Sequence, residues 1–375
     1  MAFALSNCRI FDGDNFRDDH AVVISDGRVR AILRSHEIAL GTPSHDLGGG
    51  LLVPGFVDIQ VNGGGGALLN DGPNAEIVNT IALSHRRFGT VGLLPTVITD
   101  HPDVLTRALD AVRQARRNNP AVLGVHVEGP FLDVARKGAH DPALIRQITV
   151  ADVQQLIQAD CGRVLVTVAP NKVAPHFIQK LSQSGVLVGL GHAEATYTEV
   201  KAALAAGAMA FTHLFNAMSQ MTGREPGMVG GALSDTRSFI GIIADGFHVD
   251  DASLRIALAA TNHDRFMLVT DAMSTAAGGP GHFDLQGRQV RVIDGKLQLD
   301  DGTLAGSNLT MDEAVRYAAN NLGLDLADSL RMASLNPARF LKLDGELGRI
   351  AAGYRASLVH LDDKLNVLQT WVDGA

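Results

Sequence analysis

Eight apolar runs follow one another between residues 51 and 271, and segments with helical periodicity separate most of them. Continuous runs of Val, Ile and Leu predict strands buried on both faces, as in a parallel sheet covered by helices. The alternation predicts an α/β fold, and eight units predict a closed (β/α)8 barrel of the TIM type. A doubly wound open sheet is the alternative. The predicted strands lie at about 51–61, 91–97, 121–128, 164–169, 186–191, 208–213, 239–244 and 266–271.

The two ends of the chain have a different pattern, with short strands and Asp-Gly turns. We predict one small β-domain built from residues 1–50 and 345–375, beside a barrel domain of residues 51–344. A strand-like insert at Asp284–Leu304 predicts a hairpin after the eighth barrel strand. The predicted C-terminal strands are Gly345–Ile350, Ala356–Leu361 and Val367–Val372, and the clearest predicted helices are Asn74–Phe88, Asp103–Asn118, Pro175–Gln183 and Asp251–Asn262.

Composition narrows the class of protein. The chain has 375 residues, 46% of them hydrophobic, which is enough to bury a large core. A net charge of −8 without basic blocks argues against a nucleic-acid surface. The two cysteines are too few for a disulfide framework, no run of 18 apolar residues predicts a membrane helix, and the N-terminus does not resemble a signal peptide. We therefore predict a soluble cytoplasmic protein.

Three of the apolar runs end at residues that bind metals. Glu128 closes V-L-G-V-H-V-E, His192 closes V-L-V-G-L-G-H, and His213 closes A-M-A-F-T-H. A single His at a strand end is more often a hydrogen-bonded scaffold residue. The carboxyl ends of barrel strands meet at one rim, however, so these three side chains are expected to lie together. Glu with two His is a ligand set suited to catalytic zinc, with one position open.

A fourth run, M-L-V-T-D, ends at Asp271, whose alternative interpretation is a turn or helix-capping residue. At the rim it predicts a general base and acid for a metal-bound water. His140, Arg224 and His248 lie in loops after the third, sixth and seventh strands. They are either solvent-exposed polar residues or a binding site for an anionic group such as phosphate.

Nine motifs in order resemble the N-acetylglucosamine-6-phosphate deacetylase family of the amidohydrolase superfamily. The resemblance covers nearly the whole chain. The motifs are V-P-G-F-V-D-I-Q-V-N-G, H-V-E-G-P-F, K-G-A-H, G-H-A-E-A-T, T-H-L-F-N-A-M, T-G-R-E-P-G, A-D-G-F-H-V, V-T-D-A-M and L-A-G-S. The resemblance implies a composite β-sandwich beside the barrel, and hydrolysis of N-acetyl-D-glucosamine 6-phosphate to D-glucosamine 6-phosphate and acetate, a step of amino-sugar catabolism.

The resemblance also implies residue roles. Glu128, His192 and His213 would hold one divalent metal, Asp271 would be the general base and acid, and His140 would bind and polarise the carbonyl. A neighbouring subunit would supply two phosphate-binding residues, so a homodimer is implied. Those residues are Arg224 and His248; Asn216 and Ala217 would contact the phosphate in the same subunit, and Ala305, Gly306 and Ser307 would line the sugar side.

One position departs from the wider superfamily, where a His-x-His pair after strand one often helps to hold two metals. Here Gln60 and Asn62 occupy that position. Amides are weak metal ligands beside imidazole. We therefore predict a mononuclear site with Gln60 and Asn62 near water, and zinc as the metal, with ferrous iron as the alternative.

Three other functions stay open. The galactosamine 6-phosphate epimer differs from the leading substrate at one hydroxyl. An amidohydrolase acting on a cyclic amide would be expected to have the His-x-His pair and often a carboxylated Lys after strand four, whereas Lys172 lies beyond that strand. A non-catalytic relative should have lost a metal ligand or the strand-eight acid, and none is missing.

Overall fold

Eight parallel strands form the central sheet in the computed structural model, which describes residues 2–375. They are hydrogen-bonded in chain order, and their residues are almost all buried. This confirms the predicted (β/α)8 barrel and each of its eight strands. Barrel strands 1 to 8 are Phe56–Val61, Thr90–Ile98, Gly124–Glu128, Arg163–Val168, Leu187–Leu190, Ala210–Phe211, Phe239–Ile242 and Phe266–Leu268.

The barrel closes between strand 1 and the segment that follows strand 8. The N–H of Asp271 donates to the carbonyl of Gln60 at 2.9 Å, and Val61 forms a parallel bridge with Ala272. Buried Asp58 reinforces this seam, because its Oδ2 accepts from the hydroxyl of Thr270 at 2.6 Å. The seam therefore fixes the last residues of strand 1 beside the first residues after strand 8.

Helices cover the outside of the barrel and follow the predicted segments. Some helices begin at residues that favour a helix N-terminus. Asn74 accepts from the N–H groups of Glu76 and Ile77, and Thr196 forms a capping box with Glu199. No helix within residues 2–375 combines the length and apolar content needed to cross a bilayer. The helices are Ala75–Arg86, Pro102–Ala115, Val150–Ile157, Pro175–Gln183, Tyr197–Ala205, Gly227–Ser234, Asp251–Ala260, Met311–Asn320, Leu326–Ala333 and Leu335–Phe340.

Two small sheets are built from the ends of the chain. The predicted strand 51–61 divides at Gly55, so that its first part pairs with the C-terminal strand Leu358–Leu361 and only its second part enters the barrel. The domain boundaries themselves remain a prediction. In sheet order, one sheet contains Val367–Trp371, Leu358–Leu361, Leu51–Pro54, Arg9–Phe11 and Phe16–Arg17, and the other contains Arg28–Arg34, His20–Ser25, Phe3–Ser6 and Ser44–Asp46.

One predicted C-terminal strand is wrong. Gly345–Ile350 consists of turns and bends. Gly348 has a φ of +83°, which an extended strand does not allow, and a Cβ there would lie 2.7 Å from the Cα of Leu335. The segment therefore turns tightly against the last helix instead of joining a sheet.

The insert after barrel strand 8 is a three-stranded antiparallel sheet, one strand more than the predicted hairpin. Its strands are His282–Leu285, Arg288–Ile293 and Lys296–Leu299. Phe283, Leu285 and Val290 pack with Ile98 of barrel strand 2 in a separate apolar cluster at the rim. The insert therefore forms one wall of the space above the strand ends.

Candidate active site

The ends of barrel strands 3, 5 and 6 bring three potential ligand atoms together. Glu128 Oε1 lies 3.2 Å from His192 Nε2 and 3.0 Å from His213 Nε2, and the two imidazole nitrogens are 3.0 Å apart. All three side chains are buried. The structure thus places the three predicted ligands at one point of the rim.

Backbone strain marks the same strand ends. His192, His213 and Asp271 have φ values of 48°, 30° and 51°, in the left-handed region that residues with a Cβ seldom adopt. In each case the chain leaves its strand abruptly and directs the side chain over the barrel mouth. Strain of this kind concentrates at functional sites, where the surrounding structure holds it in place.

The hydrogen bonds of His192 indicate whether these residues can bind a cation. Its Nδ1 lies 3.0 Å from the carbonyl of Arg136, which can only accept, so Nδ1 carries a proton, and in the neutral ring Nε2 offers a lone pair. That lone pair faces Glu128 Oε1. With no proton between them, this nitrogen and the carboxylate oxygen would repel each other at 3.2 Å unless a cation lay between them. Converging lone pairs from one carboxylate and two imidazoles fit a divalent cation.

His140 lies beside this cluster but has the opposite hydrogen-bonding character. Ligand atoms of Glu128, His140 and His192 lie within 4.8 Å of one another. However, His140 Nδ1 lies 2.8 Å from the hydroxyl of Thr99 and accepts from the backbone N–H of Thr99 at 3.4 Å, and burial lowers the pKa of His140 to about 3. The hydrogen-bond network therefore assigns a neutral ring with its proton on Nε2. That ring can donate to a carbonyl oxygen, and it is a poorer metal ligand than His213.

Asp271 contacts two amide donors, Gln60 in strand 1 and Asn62 directly after it. Asn62 Nδ2 donates to Asp271 Oδ1 at 2.7 Å, and Gln60 Nε2 lies within hydrogen-bonding distance of both Asp271 and Glu128, at 3.2 and 3.0 Å. Burial and the nearby charge of Glu128 raise the pKa of Asp271 to about 6. A carboxyl group poised near neutrality suits proton transfer in both directions. The amides of Gln60 and Asn62 thus contact the two carboxylates, and their predicted place near water stays a prediction.

A cavity of about 510 Å³ opens above these groups. The insert supplies Leu285 to its wall, and the 134–140 loop also lines it and contacts the insert, since Arg288 donates to the carbonyl of Ala139 at 2.7 Å. Lys137 in that loop also lines the cavity; it begins the K-G-A-H motif, but no role was predicted for it. The predicted residues that line the cavity are Asn62, Glu128, His140, His192, His213, Asn216, Ala217, His248, Asp271, Ala305 and Gly306.

Three predicted site residues do not line this cavity, and one of them, Gln60, is buried at the end of strand 1. Arg224 is exposed in the loop after strand 6. Ser307 is turned away, because its hydroxyl donates to the carbonyl of Thr270 at 2.5 Å. His248, predicted to serve a neighbouring subunit, lines the cavity of its own chain.

A layer of hydroxyls lies one level below the cluster. His126 Nε2 is 2.8 Å from Thr167 Oγ1, which is 2.7 Å from Thr212 Oγ1, and all three residues are buried. Thr167 and Thr212 meet across barrel strand 5 because Gly189 there has no side chain; a Cβ would lie 3.2 Å from the Thr212 hydroxyl. The layer therefore links strands 3, 4 and 6 directly beneath the ligand set.

Comparison with known proteins gives consistent matches over the whole chain. The family model described as Amidohydrolase family matches residues 51–375, and that described as NagA composite domain matches residues 2–52. The N-acetylgalactosamine-6-phosphate deacetylase of Shewanella sp. strain ANA-3 is 42% identical over 98% of this chain and 93% of that protein. The N-acetylglucosamine-6-phosphate deacetylase of Haemophilus influenzae is 33% identical over 100% and 99%. The crystal structure of N-acetylglucosamine-6-phosphate deacetylase from Pasteurella multocida has a TM-score of 0.97 at 33% identity, covering 100% and 99% of the two chains.

Proposed function

The chain belongs to the amidohydrolase family, and from that membership we propose that it hydrolyses the N-acetyl group of N-acetyl-D-glucosamine 6-phosphate, giving D-glucosamine 6-phosphate and acetate. The observation that carries the proposal is the convergence of Glu128, His192 and His213 within 3.2 Å, in a cavity that Asp271 also lines. A divalent metal held by these three residues would polarise a carbonyl and lower the pKa of water.

The side chains around the ligand set divide the remaining chemistry. His140 presents Nε2–H to the carbonyl oxygen of the acetamide. Asp271 accepts a proton from the attacking water as the water oxygen bonds to the carbonyl carbon. Asp271 then returns that proton to the nitrogen as the carbon–nitrogen bond breaks. The products are acetate and the free amine.

The phosphate end of the substrate lies, in our proposal, toward Asn216, Ala217 and His248, which line the same cavity. Arg224 reaches this end from a neighbouring subunit, because it is exposed and absent from the cavity of its own chain. The proposed assembly is therefore a homodimer with shared sites. Ala305 and Gly306 border the sugar, and Ser307 supports them through its bond to Thr270.

The galactosamine epimer is the second candidate substrate. It is favoured by one observation, the 42% identity with a protein named N-acetylgalactosamine-6-phosphate deacetylase. Both epimers carry the same acetamide and phosphate, so the site chemistry proposed above serves either one. An amidohydrolase acting on a cyclic amide is less well supported, because Gln60 and Asn62 direct N–H groups where that reaction would need ligands.

Acetate release tests the reaction directly. The metal-loaded protein is assayed with N-acetylglucosamine 6-phosphate, its galactosamine epimer and unphosphorylated N-acetylglucosamine. We expect fast release that requires the phosphate, and the ratio of kcat/KM between the epimers identifies the substrate. Release that is equally fast without phosphate would contradict the anion site, and release from none of the three would contradict the reaction.

A complementation assay tests the shared site. Arg224→Ala leaves Asp271 intact, and Asp271→Asn leaves Arg224 intact, so a mixed dimer contains one site with both residues. Mixing the two impaired proteins under conditions of subunit exchange, at a substrate concentration well below the KM of Arg224→Ala, should restore up to a quarter of the activity, since half of the dimers are mixed and each has one complete site. No recovery, with exchange shown independently, would mean that each site takes Arg224 and Asp271 from one and the same subunit.

We propose zinc as the metal, one ion per chain, with ferrous iron as the alternative. Two imidazoles and one carboxylate suit both ions. Metal analysis of protein purified under air and under nitrogen distinguishes them, because ferrous iron is retained only without oxygen. Two ions per chain would contradict the mononuclear site.

A further inference from the structure

The loop after barrel strand 7 contains a buried carboxylate that the proposed reaction does not use. Asp245 Oδ2 lies 2.6 Å from Nδ1 of His248, and both side chains are less than a tenth exposed. Asp245 Oδ1 accepts from the backbone N–H groups of Phe247 and His248, at 2.8 and 2.9 Å. Both oxygens of the carboxylate are therefore occupied, one by the imidazole and the other by the turn that carries it.

These contacts define the protonation of the pair. Burial opposes the ionisation of Asp245. The hydrogen bond from His248 and those from the backbone N–H groups outweigh it and lower the pKa of Asp245. An ionised carboxylate can only accept, so Nδ1 of His248 carries a proton. The remaining nitrogen, Nε2, belongs to a ring that lines the cavity near Asn216 and Ala217.

We propose that Asp245 is a positioning residue for the anionic end of the substrate, which fixes His248 with Nδ1 protonated and Nε2 turned toward the cavity. This inference rests on the proposed function. A ring held between a carboxylate and a phosphate carries N–H on both nitrogens, and the hydrogen bond to phosphate is then charge-assisted. Asp245 thus acts on phosphate only through His248.

Asp245→Asn separates this role from support of the turn. Its Oδ1 can still accept from the two backbone N–H groups, but its NH₂ replaces the acceptor that faces Nδ1. The ring must then accept at Nδ1 and keep its only proton on Nε2, so the charge assistance is lost. Asp328→Asn is the matched control, because Asp328 Oδ2 contacts Nδ1 of His263 at 2.7 Å and neither residue lines the cavity.

The experiment measures inorganic phosphate as a competitive ligand, the kinetics of acetate release and the ¹⁵N shift of His248 Nδ1 in the metal-loaded protein. For Asp245→Asn we expect phosphate binding and KM for the phosphorylated substrate to weaken roughly tenfold. We expect kcat and the kinetics of the unphosphorylated substrate to stay within about threefold, and Nδ1 to change from a protonated to an unprotonated shift. Asp328→Asn should change none of these, and Asp245→Glu should restore phosphate binding.

Several results would overturn the role of Asp245. One is an unprotonated Nδ1 in the wild-type protein. Another is a further loss of phosphate affinity when Asp245→Asn is added to His248→Asn, because a residue acting through His248 should add nothing there. Phosphate binding and the ¹⁵N shift need no turnover, so absent acetate release contradicts the proposed reaction without affecting this test. If Asp245→Asn does not fold, phosphate binding by Asp245→Glu and the ¹⁵N shift of the wild-type protein still test the role of Asp245.

Discussion

The two halves of the cavity floor have opposite hydrogen-bonding chemistry. On the side of strands 3, 5 and 6, lone pairs of Glu128, His192 and His213 converge within 3.2 Å. On the side of the seam between strands 1 and 8, the N–H groups of Gln60 and Asn62 point at Asp271. The first half suits a cation and the second suits an anion. One barrel mouth can therefore keep a metal and a proton-transfer carboxylate close together without both carboxylates binding the metal.

Removal of a ligand should have the largest effect. His213→Ala leaves Glu128 and His192 to hold the metal alone, and we expect turnover to fall by about 10⁴-fold or more, because charge stabilisation by a bound metal is worth several kcal/mol. Metal content per chain after dialysis should fall in parallel. Full metal content with full activity would move the ligand role from His213 to His140.

A substitution on the side of the seam between strands 1 and 8 should reduce activity without loss of the metal. Asp271→Asn removes the proton carrier but keeps a side chain of the same size beside Asn62, so we expect kcat to fall by about 10²- to 10⁴-fold. Metal content and the dissociation constant of a phosphorylated substrate should change little. Metal loss in this variant would show that Asp271 also binds the metal, which would contradict the separation of the two sides of the cavity floor.

The barrel and the meeting of Glu128, His192 and His213 at one rim were predictable, because each depends on a local pattern. Continuous apolar runs identify the strands, and parallel strand ends must meet, so Glu128, His192 and His213 follow from the sequence. The donor role of Gln60 and Asn62 was not predictable, since it depends on the register of the barrel seam. The sequence also could not show that Ser307 turns away, or that Gly348 bends a strand-like segment.

Asp58 lies in the seam between strands 1 and 8, and its ionisation should change the stability of the fold with pH. Burial raises its pKa to about 7, so the folded chain binds one more proton than the unfolded chain between about pH 4 and 7. Its contribution to stability is therefore fully present below pH 4 and is lost as the pH rises to 7, by an amount on the order of 4 kcal/mol. In Asp58→Asn this part of the pH dependence should disappear.

The measurement is the difference in unfolding free energy between wild type and Asp58→Asn at several pH values. Groups that titrate equally in both proteins cancel in this difference. We expect the variant to gain relative stability from pH 4 to 7 and to show a constant difference above it. A difference independent of pH throughout would mean that Asp58 is ionised in the folded protein across the whole range.

We expect the smallest effect from a substitution in the hydroxyl layer beneath Glu128, His192 and His213. Thr167→Val keeps the shape of the side chain but breaks the contacts with His126 and Thr212, which link strands 3, 4 and 6. Groups that orient metal ligands typically change metal affinity by about 10- to 100-fold, and we expect the lower end because no ligand atom is touched. Thr90→Val is the matched control, since Thr90 is also buried on a barrel strand but its hydroxyl has no partner within the described residues. The readouts are the metal dissociation constant from competition with a chelator and the visible spectrum of the cobalt-substituted protein. A shifted spectrum with about tenfold weaker binding in Thr167→Val, and neither in Thr90→Val, would show that the layer orients the ligands; equal effects in both would mean that it only fills the barrel.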